Sequence, residues 1–162
     1  MRKLVLEVIA ATALTLGSIL ASTPGVLAND VMVKGAFARA SAVSTAKAGA
    51  VYMTLSNQAA APDKLLQITT ESAASAGVHE SAEKDGVATM RPIARLEIPA
   101  GGNVELKPGG YHIMLLGLKA PLIKGDMIML RLKFEHAGLV DVMAHVGDVA
   151  EEHAHTEGST GN

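Results

Sequence analysis

The chain has 162 residues, contains no cysteine and carries a formal net charge of −2. This length fits one ordinary domain, and the lack of cysteine excludes disulfides, a nucleophilic thiol and a blue-copper centre, which needs a thiolate ligand. The mild acidity, without a block of like charge, gives no electrostatic footprint for nucleic acid or anionic lipid.

Residues 1–28 have the layout of a secretory signal peptide. A basic start at Arg2 and Lys3 is followed by an apolar run over residues 4–21, and small residues lead to Ala28. Glu7 and several hydroxyl side chains interrupt the run, which falls short of the ~20 mostly apolar residues that a membrane span needs. We therefore expect cleavage after Ala28, a periplasmic location and no membrane insertion after cleavage.

The sequence from residue 29 to residue 146 is predicted to be an all-β domain. Turn residues separate segments of alternating or continuous apolar character, which predicts strands over 31–39, 48–56, 64–69, 77–81, 87–96, 103–106, 111–118, 127–135 and 139–146. One turn of helix is expected near Ser72 to Ser75. Many short strands at even spacing favour a β-sandwich or barrel. Residues 147–162 have almost nothing to bury and are predicted to form a flexible tail that contains histidine.

His112 and Met114 lie in the strongly β-prone segment after a Pro-Gly-Gly turn. Residues two apart in a strand point to the same face, so the imidazole and the thioether are expected to point together. Ile113 and Leu115 then face the other way, into the core.

His79 and Met90 flank the turn at residues 83–86, and two registers are open. A four-residue loop pairs His79 directly with Met90, whereas a two-residue loop at Asp85 and Gly86 makes them diagonal neighbours on one face. Either register brings a second imidazole and a second thioether together.

Two such pairs could meet and supply two nitrogen and two sulfur donors to one metal ion. Thioether sulfur is a poor ligand for hard cations and Zn(II) but a good one for Cu(I), which is therefore the expected cargo. A single methionine in a β-protein is more often core filler, and a lone histidine more often a surface group. The combination is more specific, because only two histidines precede residue 130.

The spacing His79, ten residues, Met90, twenty-one residues, His112-x-Met114 resembles the H-x10-M-x21-H-x-M signature of the PCuAC periplasmic copper chaperones. Residues 96–118 are similar to the most recognisable stretch of that family. Residues 36–39, 49–52, 61–63 and 134–138 are similar to its flanking strands, so the resemblance covers about Val33 to Val146.

The resemblance implies a cupredoxin-like Greek-key β-sandwich or barrel with one Cu(I) bound by the two histidines and two methionines. It also implies delivery of copper to the binuclear copper site of cytochrome c oxidase, with subunit II or another copper chaperone as the acceptor. We expect a monomer that is not an enzyme. A periplasmic protein that sequesters copper for resistance is the alternative.

The tail residues His153 and His155 are candidates for a second metal site. Neutral imidazoles beside carboxylates would suit Cu(II) better than Cu(I). A merely solvated tail is the favoured interpretation, because such tracts are assigned on composition alone.

Overall fold

The structure is a computed structural model that describes residues 30–84 and 86–148. These residues form ten strands and no helix, which confirms the all-β prediction. The strands are β1 (Val31–Arg39), β2 (Ala48–Asn57), β3 (Asp63–Thr70), β4 (Ala73–Lys84), β5 (Val87–Ile93), β6 (Leu96–Ile98), β7 (Asn103–Leu106), β8 (Tyr111–Leu118), β9 (Met127–Phe134) and β10 (Leu139–Gly147).

Seven strands close into a barrel. The order is β4-β8-β2-β1-β10-β9-β3, and the pairing of Ile68 with Ala76 joins β3 back to β4. Strands β1 and β10 are parallel, and the other pairs are antiparallel. β8 lies between β2 and β4, so neighbours in space are not neighbours in the chain. Closure gives the long strands partners on both sides, which removes most exposed sheet edges.

The barrel interior is an apolar core. Alternate residues of the long barrel strands such as β9 point inward, and Leu130, Leu132, Ile113, Leu115 and Val51 are fully buried there. Burial of side chains of this size contributes roughly 1.5–3 kcal/mol each relative to exposure. The core supplies the cohesion that disulfides would otherwise provide, and it fixes which residues of each strand must point outward.

Two sequence-based predictions of local structure were wrong. The expected helical turn near Ser72 to Ser75 does not form, because β4 already begins at Ala73 and pairs with Leu118 of β8. The expected strand over 87–96 is two strands. β5 pairs with β4, whereas Leu96 of β6 pairs with Leu65 of β3, so the chain changes partner between them.

The end of β4 and all of β5 form a hairpin arm, residues 81–93, that continues beyond the barrel wall. Within this arm β4 pairs with β5 down to Lys84 and Val87. Nearly every residue of β5 is exposed, so the arm buries little apolar surface. Segments held mainly by backbone hydrogen bonds open at low free-energy cost, and the arm is therefore the most easily displaced part of the barrel.

In the described part of the chain no helix is long and apolar enough to cross a membrane. The predicted signal peptide and nearly all of the predicted tail lie outside the described residues.

Candidate metal centre

His79 and His112 lie directly opposite each other on the outer face of the barrel. The register pairs them across β4 and β8, with ring centroids 6.2 Å apart and ring planes at 27°. Their neighbours Val78 and Ile113 are buried in the core, which forces both imidazoles outward. His112 is nevertheless only 5% exposed, so its ring is held in a largely covered position, whereas His79 is half-buried.

Met114 lies on the same outer face, two residues after His112. Ile113 and Leu115 are fully buried, which confirms the predicted alternation between a core face and a face of candidate ligands. Met114 pairs with Gly77 of β4, and a Cβ atom at Gly77 would meet nothing within 4 Å. This gap leaves the half-buried thioether room to turn toward the imidazoles.

Met90 comes from the exposed arm. Lys84 pairs with Val87, so the two-residue loop is the correct one of the two registers, and Met90 pairs with Ser81. Met90 is therefore the diagonal neighbour of His79 on the same face, and its side chain is 52% exposed. It lies on the far side of His79 from Met114, two strands away across the sheet and, because Met114 pairs with Gly77, four residues away along β4, which together give roughly 16 Å.

The backbone orients both imidazoles in the same way. His79 Nδ1 lies 3.4 Å from the carbonyl oxygen of Gly77, and His112 Nδ1 lies 3.1 Å from that of Gly110. When Nδ1 carries the proton and donates to these carbonyls, the lone pair of each Nε2 is free for a metal ion. Sequence reasoning missed this feature, although its signal is a Gly-x-His motif that occurs at both histidines.

An ion pair lies at the base of the arm, next to Met90. Arg91 Nε donates to Glu80 Oε2 over 2.6 Å, and these residues pair directly across β4 and β5. An exposed pair of this kind stabilises the arm by ~1 kcal/mol at most. It also neutralises the charge of Arg91, which would otherwise repel a cation approaching the candidate ligands.

The composition of the site restricts the metal. Among the described residues, no three His, Cys, Asp or Glu side chains come close enough to hold an ion. Two imidazole nitrogens with thioether sulfurs are a donor set suited to Cu(I). His153 and His155 lie outside the described residues.

Comparisons with known proteins identify a family and a relative of this chain. The family described as "Putative lipoprotein LpqE-like" matches residues 31–146. A relative from Leifsonia xyli subsp. xyli, described as "Putative lipoprotein Lxx21020", is 38% identical over 130 residues, which is 79% of this chain and 76% of the relative.

Solved structures of copper-binding domains have the same fold. The copper-bound PCuAC domain of PmoF2 superposes with a TM-score of 0.62 at 22% identity, covering 74% of this chain and 93% of that domain. The Cu(I) form of DR1885 from Deinococcus radiodurans gives a TM-score of 0.57 at 34% identity, covering 72% of this chain and 79% of that protein. The apo PCuAC domain of PmoF1 gives a TM-score of 0.62 at 27% identity, covering 74% of this chain and 94% of that domain.

Proposed function

From the premise that the chain belongs to the LpqE-like family and has the PCuAC fold, we propose that it is an exported Cu(I) chaperone. The proposed ligands are His79, Met90, His112 and Met114. The observation that carries the proposal is the direct pairing of His79 with His112, with Met114 on the same face and Met90 diagonal to His79. Relatives of known structure are described as copper-bound, which supports the choice of metal.

The barrel wall provides the fixed part of the site. His79, His112 and Met114 lie on strands whose other faces are buried in the core, and the Gly77 and Gly110 carbonyls hold the rings. This arrangement offers two nitrogen donors and one sulfur donor with little reorganisation. We therefore expect Cu(I) to bind these three groups first.

Met90 provides the adjustable part. Its flat-sheet distance from Met114 is too long for one ion to contact both sulfurs, so the arm must curl toward the barrel for Met90 to complete the site. Because the arm buries little apolar surface, this movement costs little free energy. When the Met90 sulfur dissociates from the ion, one coordination position opens to a ligand of the acceptor. Copper could then pass through an intermediate in which both proteins bind the ion.

The proposed acceptor is the binuclear copper site of cytochrome c oxidase subunit II, or another copper chaperone. A fully coordinated ion has no open position for a substrate, so we propose a binding protein and not an enzyme. Without a thiolate ligand, the site carries no negative charge that would hold Cu(I) against a thiolate-containing acceptor. Transfer toward such an acceptor is therefore favoured.

The test is to incubate the Cu(I)-loaded chain with the apo copper-binding domain of subunit II without oxygen, separate the two and measure the copper in each. We expect copper to move to the acceptor. The double variant His153→Ala/His155→Ala is the control and should transfer equally well. Copper that stays on the chain at equilibrium would favour the sequestration alternative.

We propose that residues 1–28 are a signal peptide, that residues 29–146 form the copper-binding domain and that residues 147–162 are a tail. A periplasmic location follows from this division and is supported by the naming of relatives as lipoproteins. This sequence has no cysteine to carry a lipid through sulfur, so we propose a free periplasmic protein. Mass spectrometry of the chain from a periplasmic extract should give an N-terminus at Asn29, and a retained Met1 would contradict the division.

A further inference from the structure

A second group of soft donors lies on the outer face of the hairpin formed by β9 and β10. The register pairs Met129 with Met143 and Met127 with His145, and each strand contributes residues two apart. The methionines are 50%, 45% and 53% exposed at positions 127, 129 and 143, and His145 is also exposed. The intervening residues of both strands are buried in the core. All four side chains therefore project from one face. We call them the β9–β10 cluster.

The spacing lets these side chains reach a common point. Directly opposed residues have Cβ atoms ~4.5–5.5 Å apart, and same-face neighbours along a strand are about 7 Å apart. Methionine has three rotatable bonds before its methyl group, so its sulfur can sweep across such a patch. Three sulfurs and one imidazole nitrogen can thus surround one ion.

The cluster is unusual for its position on the sheet. The outer face of an antiparallel sheet is ordinarily polar. At the other end of this hairpin Lys133, Arg131 and Asp141 follow that rule, although the exposed Leu139 does not. Exposed methionines contribute little to the core. Their concentration beside a histidine, in two adjacent cross-strand pairs, points to a use for the sulfur atoms themselves.

The nearest charged pair on the hairpin is neutral as a unit, and one side of the cluster is open. Arg131 donates two hydrogen bonds to Asp141, from Nε over 2.7 Å and from Nη2 over 2.8 Å, so the neighbouring pair is neutral as a unit. On the other side, β1 has a register shift between Lys34 and Phe37. Gly35 lies in that shift with φ of 59°, and a Cβ atom at Gly35 would meet no heavy atom within 4 Å, which leaves the Met143 side of the cluster open.

We propose that Met127, Met129, Met143 and His145 form a second Cu(I) site. Three thioethers favour Cu(I) and exclude Zn(II) and hard cations as competitors. His145 pairs with Phe37, which pairs with Tyr52 of β2, and β8 with His112 is the next strand. The two copper sites are therefore about three strand spacings apart, roughly 14 Å, and share no ligand. This site does not rest on the one formed by His79 and His112.

The test is a Cu(I) titration of the full chain without oxygen, with the methionine methyl groups labelled for NMR. The double variant His153→Ala/His155→Ala is the background, so that the tail cannot contribute. We expect two bound ions, with the methyl signals of Met127, Met129 and Met143 shifting in a phase separate from those of Met90 and Met114.

Substitutions then show which residues bind each ion. The triple variant Met127→Leu/Met129→Leu/Met143→Leu preserves side-chain volume and should bind one ion where its parent binds two. The matched control is Met32→Leu, because Met32 is an exposed methionine, 46% exposed, on β1 and outside the cluster. It should still bind two ions. The variant Met90→Leu/Met114→Leu should keep the ion of the β9–β10 cluster.

The outcomes separate the two proposals. If the three cluster methyl signals do not move with Cu(I), or the triple variant binds as much copper as its parent, the second site is wrong, whatever the Met90 and Met114 signals do. If only the cluster signals move, the second site stands and the site at His79 and His112 is wrong.

Discussion

Gly77 is the position at which stability and copper binding should respond in opposite directions. It lies on the outer face of β4, pairs with Met114 and has an ordinary negative φ, so a side chain can be added without backbone strain. Nothing lies within 4 Å of a Cβ atom there, so the substitution Gly77→Val should fold without a clash.

The change in stability and the change in Cu(I) affinity can both be estimated from that geometry. Glycine within a strand costs roughly 0.5–1 kcal/mol relative to alanine, and valine is a better strand former still. Gly77→Val should therefore stabilise the domain by about 1 kcal/mol, which raises the melting temperature by about 4 °C. The added methyl groups fill the gap through which the Met114 sulfur turns toward His79. Cu(I) affinity should fall by at least about tenfold, or ~1.4 kcal/mol.

The assays are thermal unfolding of the apo protein and competition for Cu(I) with a chromophoric chelator. Ser75→Val is the matched control, because Ser75 is exposed, lies two residues earlier on the same face and pairs with Leu116. It should give a similar gain in stability with unchanged affinity. Undiminished Cu(I) affinity in a stabilised Gly77→Val variant would refute the role given to the gap.

The remaining predictions concern the arm, the barrel core and a buried carboxylate. Met90→Leu should weaken Cu(I) binding by at least about tenfold in the same competition assay and change the unfolding free energy by no more than about 0.5 kcal/mol, because the side chain is 52% exposed. Leu130→Ala should cost ~2–5 kcal/mol in urea unfolding, since Leu130 is fully buried, and an equal loss of copper affinity in the folded variant would contradict the separation of core from site. Burial raises the pKa of Asp63, but hydrogen bonds from the backbone N–H groups of Ala137, His136 and Lys64 outweigh it and hold the pKa below its usual 3.8. A carboxylate with a lowered pKa in the folded state stabilises the fold above its unfolded pKa, and that contribution is lost as the pH falls through the folded value. Asp63→Asn should therefore be less stable at neutral pH and lose less stability between pH 5 and pH 2, and parallel acid-unfolding curves for the two proteins would contradict this.

The strand pattern could be predicted because it depends on the local alternation of apolar and polar residues. β1, β7 and β8 have the bounds that turn residues and alternating apolar residues predict. The barrel core strengthens the same alternation, since Ile113 and Leu115 must both face inward. The local pattern could not show that β5 and β6 pair with different strands, because that depends on contacts between distant parts of the chain.

The candidate site also has features that the sequence predicts and features that it does not. Residues two apart on one strand, such as His112 and Met114, could be predicted to share a face. The direct pairing of His79 with His112 could not, because it depends on the register of β4 against β8, which no turn between them fixes. The β9–β10 cluster was missed for a related reason. Met127-x-Met129 and Met143-x-His145 are visible in the sequence, but only the register across the hairpin brings the four together.

The most direct test of the four-ligand site is X-ray absorption at the copper edge on the variant Met127→Leu/Met129→Leu/Met143→Leu loaded with half an equivalent of Cu(I), so that the β9–β10 cluster does not contribute sulfur. We expect two sulfur and two nitrogen neighbours, with one sulfur lost in Met90→Leu. A first shell of nitrogen and oxygen only, or a spectrum that Met90→Leu and Met114→Leu both leave unchanged, would contradict this coordination.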